Sequence, residues 1–221
     1  MVGAAGAHEA SAAATGYLFQ CRYALLAGLQ SIPDAPQLEV SIEKFDDVAF
    51  EVGGEPTDLI QTKHHIRKSG NLTNASTDLW NTLLIWSKQT TKDIGVPFQR
   101  RFILLTTGSA PKGSAASFLR MRDRDEIEAD KILLKTAAAS KSKENASAYV
   151  AYKAIPDNLR QSLLRAIFIL DGSPNIVDVR DEIARELYHA AGRDQIDRLV
   201  ERLEGWWLGV VIKALTGAGP R

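Results

Sequence analysis

The chain of 221 residues contains one cysteine, shows no excess of either charge and has no long apolar run. Because Cys21 has no partner for an intramolecular disulfide, we expect it to be a buried core residue of a protein in a reducing compartment. No apolar run reaches the ~18 residues that span a bilayer, and the first residues lack the basic start and apolar core of a signal peptide. These absences predict a soluble, cytoplasmic protein that does not enter a membrane.

The charge balance also limits the ways in which the chain can bind nucleic acid. Lys and Arg together number 27, and so do Asp and Glu. No global positive field therefore attracts DNA, and a nucleic-acid partner must be held by a local basic patch.

Alternating apolar and polar residues predict three strands in the first third of the chain. A helical pattern over about residues 15 to 30 comes first, and strands follow around Val40 and Phe50. The turn residues Gly53 and Gly54 then lead into a third strand, "DLIQTKHH". This part of the sequence predicts a helix followed by an antiparallel meander.

The rest of the chain is predicted to be mainly helical. Ser76 is in the position of a helix cap, and Trp80 and Trp86 follow on the apolar face of that helix. The segment "RRFILLTT" is typical of a buried strand. From Ser114 onward we expect helices, with "IFIL" as one further short strand and two helices between Ile176 and Thr216. The order of elements predicts an α/β fold: a mixed sheet flanked by helices, followed by an all-helical segment.

Several polar side chains of the predicted sheet lie where they can share one face. Gln61 and Lys63 are two residues apart on a strand, so both emerge on the same side. A hairpin about Gly53 and Gly54 would bring Asp47 next to them. Carboxylate and carboxamide oxygens are ligands for a hard divalent cation such as Mg²⁺ or Mn²⁺, which assists phosphodiester hydrolysis. The candidate metal ligands are Asp47, the Gln61 side chain and the Thr62 backbone carbonyl. Glu43 or Asp46 is the candidate supporting acid. Lys63 is the candidate amine that orients water or neutralises phosphate.

The same residues also have a purely structural interpretation. Acids near a turn are common at solvated strand ends, and a lysine on an edge strand protects against aggregation. The basic residues His64, Arg67 and Lys68 come directly after the candidate site and are predicted DNA-backbone contacts, although they also suit a solvated loop. Spacing by itself leaves both interpretations open.

Three ordered motifs, "TGYLFQCRYAL", "IEKFDDVAFE" and "LIQTKHH", resemble a known family. They are similar to the N-terminal nuclease domain of the CD-NTase-associated double-stranded DNA endonucleases of bacterial antiphage defence, a branch of the PD-(D/E)xK superfamily. The resemblance covers about residues 14 to 110 and implies a restriction-endonuclease-like fold. It places Asp47, Gln61 and Lys63 in the metal site and matches Gln20 to the helix-borne glutamine of the family. It implies Mg²⁺-dependent cleavage of double-stranded DNA with low sequence specificity.

The tail "RLVERLEGWWLGVVIKAL" is similar to the start of the C-terminal region of effector subunits in Lamassu-type ABC three-component defence systems. That resemblance implies a homo-oligomer whose assembly activates the nuclease, with an SMC-like ATPase and a third subunit as partners. It predicts a nuclease domain over residues 1–140 and a helical segment for oligomerisation and partner binding over 141–221. We also expect the chain to be part of a longer protein.

Two other functions are compatible with the sequence. One is a non-catalytic module of the same fold that binds DNA or a partner within a defence complex. The other is a helical scaffold in which the small sheet is structural. A measurement of DNA cleavage distinguishes the nuclease from both of these alternatives.

Overall fold

The computed structural model describes residues 3–44, 46–63, 70–192 and 194–217, with side chains from residue 14 onward in these ranges. The helices are α1 Gly3–Ser31, α2 Thr77–Lys92, α3 Val96–Gln99, α4 Glu126–Ala139, α5 Ala146–Ala154, α6 Asp157–Ala166, α7 Ile176–Glu186 and α8 Ile196–Leu215. The strands are β1 Glu39–Ile42, β2 Val48–Val52, β3 Glu55–Lys63, β4 Arg101–Thr106 and β5 Ile167–Leu170.

The strands form a mixed sheet in the order β1-β2-β3-β4-β5. β1 and β2 are antiparallel, with Val40 opposite Phe50. β4 runs parallel to both of its neighbours, with Leu104 opposite Gln61 of β3 and opposite Ile169 of β5. Helices flank the sheet and continue towards the C-terminus, which confirms the predicted α/β fold. Its likeness to restriction endonucleases stays a prediction.

Contacts between residues divide the chain into two compact units. Unit 1 combines the described residues up to Pro56 with those from Pro174 onward, and unit 2 covers Thr57–Ser173. The predicted change from a nuclease domain to an assembly segment at residue 140 is a functional boundary, and it stays a prediction.

Unit 1 is built on the long helix α1. Phe19, Ala24 and Leu26 of this helix are buried. Arg22 donates a hydrogen bond to the carbonyl of Ile176, the first residue of α7, at 2.6 Å. The indole of Trp207 in α8 donates to the carbonyl of Cys21 at 2.6 Å. Cys21 itself is buried, as predicted from its apolar helical surroundings.

Unit 2 contains a core of aromatic residues on α2. Trp80 makes edge-to-face contacts with Tyr149 and Tyr152, and Trp86 packs against Phe102 of β4. Both tryptophans are fully buried, as their predicted position on one helix face requires. Such aromatic pairs add to the stabilisation that burial of their area provides.

Two local predictions need correction. Ser76 precedes α2 as expected, but its side chain makes no capping hydrogen bond to the described first turn. The prediction of a helix from Ser114 onward is wrong, because residues 116–119 form a short 3₁₀ helix and α4 begins at Glu126. Asp123 has a left-handed φ of 55°, which interrupts a helix, and the Asp125 side chain caps α4 by accepting from the Glu128 N–H at 2.9 Å.

Among the helices of the described ranges, none combines the length and apolar character needed to cross a membrane.

Candidate functional site

The predicted acids Glu43 and Asp47 lie at the two ends of the connection between β1 and β2. The Glu43 N–H donates to the Asp47 carbonyl at 3.2 Å, and the Asp47 N–H donates to the Asp46 carboxylate at 3.1 Å. Glu43 has a φ of 57°, in the left-handed region that non-glycine residues rarely adopt. Such conformations cluster at functional sites. The turn therefore holds two carboxyl groups in a constrained backbone.

The charges of these two acids interact. Glu43 is exposed, yet partial loss of hydration around its carboxyl group, and then the negative charge of Asp47, raise the pKa of that carboxyl above its usual value. A carboxyl group whose ionisation is disfavoured by a neighbouring carboxylate is stabilised by a cation placed near both. The pKa of Glu43 therefore depends on the charge of its neighbour as well as on its own hydration.

Helix α1 contributes polar groups to the same unit. Burial, followed by the nearby Cys21 thiol and the Glu43 carboxyl, raises the pKa of the Tyr17 phenol well above its usual value. Tyr17 was not among the predicted site residues, although its position one helical turn before Gln20 could have indicated it. The influence of Glu43 on Tyr17 agrees with the packing of α1 against β1, the strand that ends next to Glu43.

Gln20 has a buried side-chain oxygen, Oε1, that accepts no hydrogen bond from the described residues. A buried acceptor without a donor costs about 1–3 kcal/mol, so such groups need an explanation in a folded protein. An amide oxygen is a ligand for hard divalent cations. The resemblance matches Gln20 to the helix-borne glutamine of the family, and its role at the site stays a prediction.

The remaining predicted residues belong to β3 in unit 2. Gln61 and Thr62 are buried, with 4% and 6% of their surfaces exposed, and Lys63 is half-buried at the end of the strand. Gln61 lies opposite Leu104, and Lys63 lies opposite Thr106. Gln61 and Lys63 therefore share one face of the strand, as their spacing predicted.

Two other buried carboxylates are used structurally. Glu51 accepts a 2.7 Å hydrogen bond from the Lys44 ammonium. Asp58 pairs with the guanidinium of Arg101, whose Nη2 donates to Oδ2 at 2.9 Å. Each of these buried carboxylates is thus compensated by a neighbouring positive charge.

The structure thus places the candidate residues in two sets. Gln20, Glu43, Asp46 and Asp47 belong to unit 1, and Gln61, Thr62 and Lys63 belong to unit 2. The predicted DNA contacts His64, Arg67 and Lys68 lie outside the described residues. Within the described ranges, no three His, Cys, Asp or Glu side chains converge to hold an ion. The predicted ligand set, in which amide and backbone oxygens supplement the acids, stays a prediction.

No protein-family model matches the chain, and no curated protein matches it.

Replacement of Glu43 by glutamine is expected to raise the melting temperature at neutral pH by about 1–3 °C, because it removes a carboxylate whose ionisation is disfavoured by partial desolvation and by the charge of Asp47. A raised pKa in the folded state makes ionised Glu43 unfavourable for folding. This cost is present when the pH is above the raised pKa, and it disappears as the pH falls below the usual glutamate value. The gain from Glu43→Gln should therefore disappear near pH 4.

Thermal unfolding in EDTA at a series of pH values measures this effect. Glu39→Gln, at another exposed glutamate of the same segment, is the matched control and should leave the melting temperature almost unchanged. A Glu43→Gln protein that is less stable at neutral pH would show that the Glu43 carboxylate is stabilised in the fold.

Proposed function

We propose that this chain is a metal-dependent endonuclease that cuts double-stranded DNA with low sequence specificity, as an effector of bacterial antiphage defence activated by oligomerisation. The sequence support is the resemblance of three ordered motifs to the nuclease domain of CD-NTase-associated endonucleases. The observation that carries the proposal is the turn between β1 and β2, in which the Glu43 N–H donates to the Asp47 carbonyl at 3.2 Å and holds the two acidic residues together.

In this proposal Asp47 is the central acid, with Glu43 as its supporting carboxylate. Their mutual repulsion disfavours two negative charges in the absence of a cation. The unsatisfied Oε1 of Gln20 supplies a further oxygen in the same unit. Carboxylate and amide oxygens form the donor set that Mg²⁺ and Mn²⁺ prefer, so these residues fit the ion.

The β3 residues have complementary roles. The Gln61 carboxamide and the Thr62 backbone carbonyl are assigned as further ligands, and Lys63 as the catalytic amine. The Lys63 ammonium would hold a water or the scissile phosphate in position and neutralise negative charge that develops during attack. When bound, the divalent ion would supply charge stabilisation at the phosphate and lower the pKa of a water ligand.

DNA would be held mainly through its backbone. The chain has no net charge, so the local basic residues His64, Arg67 and Lys68 carry this role in the proposal. Contacts to phosphates position a duplex without reading its sequence, which agrees with low specificity.

Helix α8 supports the assembly part of the proposal. Trp206, Ile212 and Leu215 are large apolar residues with 60%, 53% and 50% of their surfaces exposed. Large apolar side chains exposed on one helix suit an interface with another protein. The proposed partners are further copies of this chain, an SMC-like ATPase and a third subunit of a defence complex.

A divalent-metal titration of plasmid nicking tests the function. Supercoiled plasmid should be nicked and linearised with Mg²⁺ or Mn²⁺ and left intact with EDTA. The specific activity should rise with protein concentration if oligomerisation activates the enzyme. Asp47→Asn should reduce the nicking rate by about 10²-fold or more, the scale of loss when a charge-stabilising group is removed from a catalytic site.

Asp34→Asn, an exposed aspartate of unit 1, is the matched control and should retain the wild-type rate. Nicking that persists in EDTA, or an Asp47→Asn protein with full activity, would contradict the proposed metal site. DNA binding without any nicking under all metal conditions would instead favour the non-catalytic module.

A further inference from the structure

Strand β1 lies at one edge of the sheet and has β2 as its neighbour. The hydrogen bond from the Glu43 N–H to the Asp47 carbonyl identifies these two residues as a hydrogen-bonded pair of the antiparallel ladder. Because hydrogen-bonded and non-hydrogen-bonded pairs alternate, the backbone groups of Val40 and Ile42 point away from β2. Among the described residues no strand pairs with the other edge of β1, so this edge offers two N–H groups and two carbonyl groups for pairing with another strand.

A groove of about 390 Å³ runs beside this edge within unit 1. Residues 40–44 form one wall, and apolar residues of α8, including Trp207, Val211 and Leu215, form the other. The Trp207 indole is held by its 2.6 Å hydrogen bond to the Cys21 carbonyl, so the helical wall is anchored to α1. We call this space the edge groove. A groove between an edge strand and a helix can bind an extended segment, which pairs with the strand and inserts alternate side chains beside the helix.

The charged residues along the edge of β1 indicate which side chains a bound segment should carry. Glu39 and Glu43 are exposed at the two ends of the edge, whereas the Lys44 ammonium is engaged by the Glu51 carboxylate at 2.7 Å. The edge therefore attracts basic side chains. In a symmetric pair of two β1 strands in which Val40 faces Ile42 of the second copy, Glu39 of one copy would face Glu43 of the other, and this repulsion disfavours a second copy as the occupant.

We propose that the edge groove binds an extended segment of a partner protein in which apolar residues alternate with arginine or lysine, and that this segment adds a strand to β1. The apolar side chains enter the groove, and the basic side chains lie beside Glu39 and Glu43. The groove shares Glu43 with the proposed metal site and Leu215 with the proposed assembly surface. The tests of peptide binding use neither metal nor DNA, so their failure is distinguishable from failure of the proposed nuclease function.

The test uses a labelled eight-residue peptide that alternates arginine with valine, titrated into the full chain without metal or DNA. Fluorescence anisotropy gives the affinity, and amide hydrogen exchange reports protection. Binding should slow the exchange of the Val40 and Ile42 amides. A peptide N-methylated at alternate amides should bind roughly tenfold or more weakly, because it cannot pair with the strand. A peptide with glutamate in place of arginine should not bind measurably.

Two variants test the site from the protein side. Ala214→Trp fills the groove from an exposed position on α8, and Val40→Pro removes an outward-facing N–H at a sheet edge, where proline is tolerated. Each should weaken peptide binding by roughly tenfold. Ala190→Trp, at an exposed position of the same unit, is the matched control and should bind the peptide like the parent chain.

Three results would overturn the proposal. The first is no binding of the arginine–valine peptide at millimolar concentration. The second is equal binding of the parent and N-methylated peptides, or equal binding by Ala214→Trp and the parent chain. The third is dimerisation of the peptide-free chain that Val40→Pro abolishes, which would identify a second copy as the occupant.

Discussion

Replacement of Lys63 by alanine should abolish Mg²⁺-dependent nicking of supercoiled plasmid, with a rate reduction of about 10²–10⁴-fold, and leave retention on DNA largely intact. This range is what a positioned proton-transfer or charge-stabilising group contributes to catalysis. Lys63 is half-buried at the end of β3, and its carbonyl accepts from the Thr107 N–H at 3.3 Å. Truncation of the side chain leaves this backbone contact in place. We therefore expect the lower nicking rate to come from loss of the amine in catalysis and not from a change in the fold. Plasmid nicking and DNA retention measured on the same preparation check the prediction.

The control for this variant is Lys88→Ala, which removes an exposed lysine on α2 in the same unit. It should nick plasmid at the wild-type rate. Full activity of Lys63→Ala would contradict the assigned role of Lys63. Parallel loss of nicking and DNA retention would mean that Lys63 acts in binding and not in the chemical step.

Replacement of Asp130 by alanine should lower the free energy of unfolding by about 3–5 kcal/mol, the range found when one partner of a buried ion pair is removed. Asp130 is 6% exposed and accepts from Arg160 Nε at 2.8 Å and from the Tyr152 hydroxyl at 2.8 Å. Gln161 donates to its second oxygen at 2.9 Å. Arg160 is itself 5% exposed, so loss of the carboxylate leaves a guanidinium buried without its main counter-charge. Urea unfolding followed by circular dichroism measures the change.

An exposed ion pair supplies the control for the buried one. Arg180 and Asp197 form a 3.2 Å ion pair in which the Asp197 side chain is 74% exposed. Asp197→Ala should therefore change the free energy of unfolding by less than about 1 kcal/mol. A similarly small effect of Asp130→Ala would show that water or another group compensates Arg160 in the variant.

Much of the secondary structure followed from local patterns. The alternation around Val40 and Phe50 predicted β1 and β2, and their antiparallel pairing is present. The apolar face of α2 predicted the burial of Trp80 and Trp86. The spacing of apolar residues predicts helices and strands because side-chain directions repeat every 3.6 residues in a helix and every two residues in a strand. The prediction of a helix from Ser114 onward was wrong for a local reason. The left-handed backbone of Asp123 interrupts a helix, and the Asp125 cap sets the start of α4 at Glu126.

The candidate site was only partly predictable. The sequence identified Glu43 and Asp47 as acids near a turn, and Gln61 with Lys63 as neighbours on one strand face. It did not identify the proximity of Tyr17 to Glu43, nor the pairing of Lys44 with Glu51. Both depend on how the ends of two elements meet, which a repeating pattern does not encode.

For this protein, then, the sequence by itself determined the residue types, the order of the elements and the face on which each side chain emerges. The tertiary structure decided which of these groups meet, because the contacts join residues far apart in the chain. The Trp207 indole bonds to Cys21 across 186 positions, and the partners of Arg160 at Asp130 and Tyr152 come from two other helices. Such pairings depend on the global packing of apolar faces, which fixes distances between segments only when the whole chain has folded.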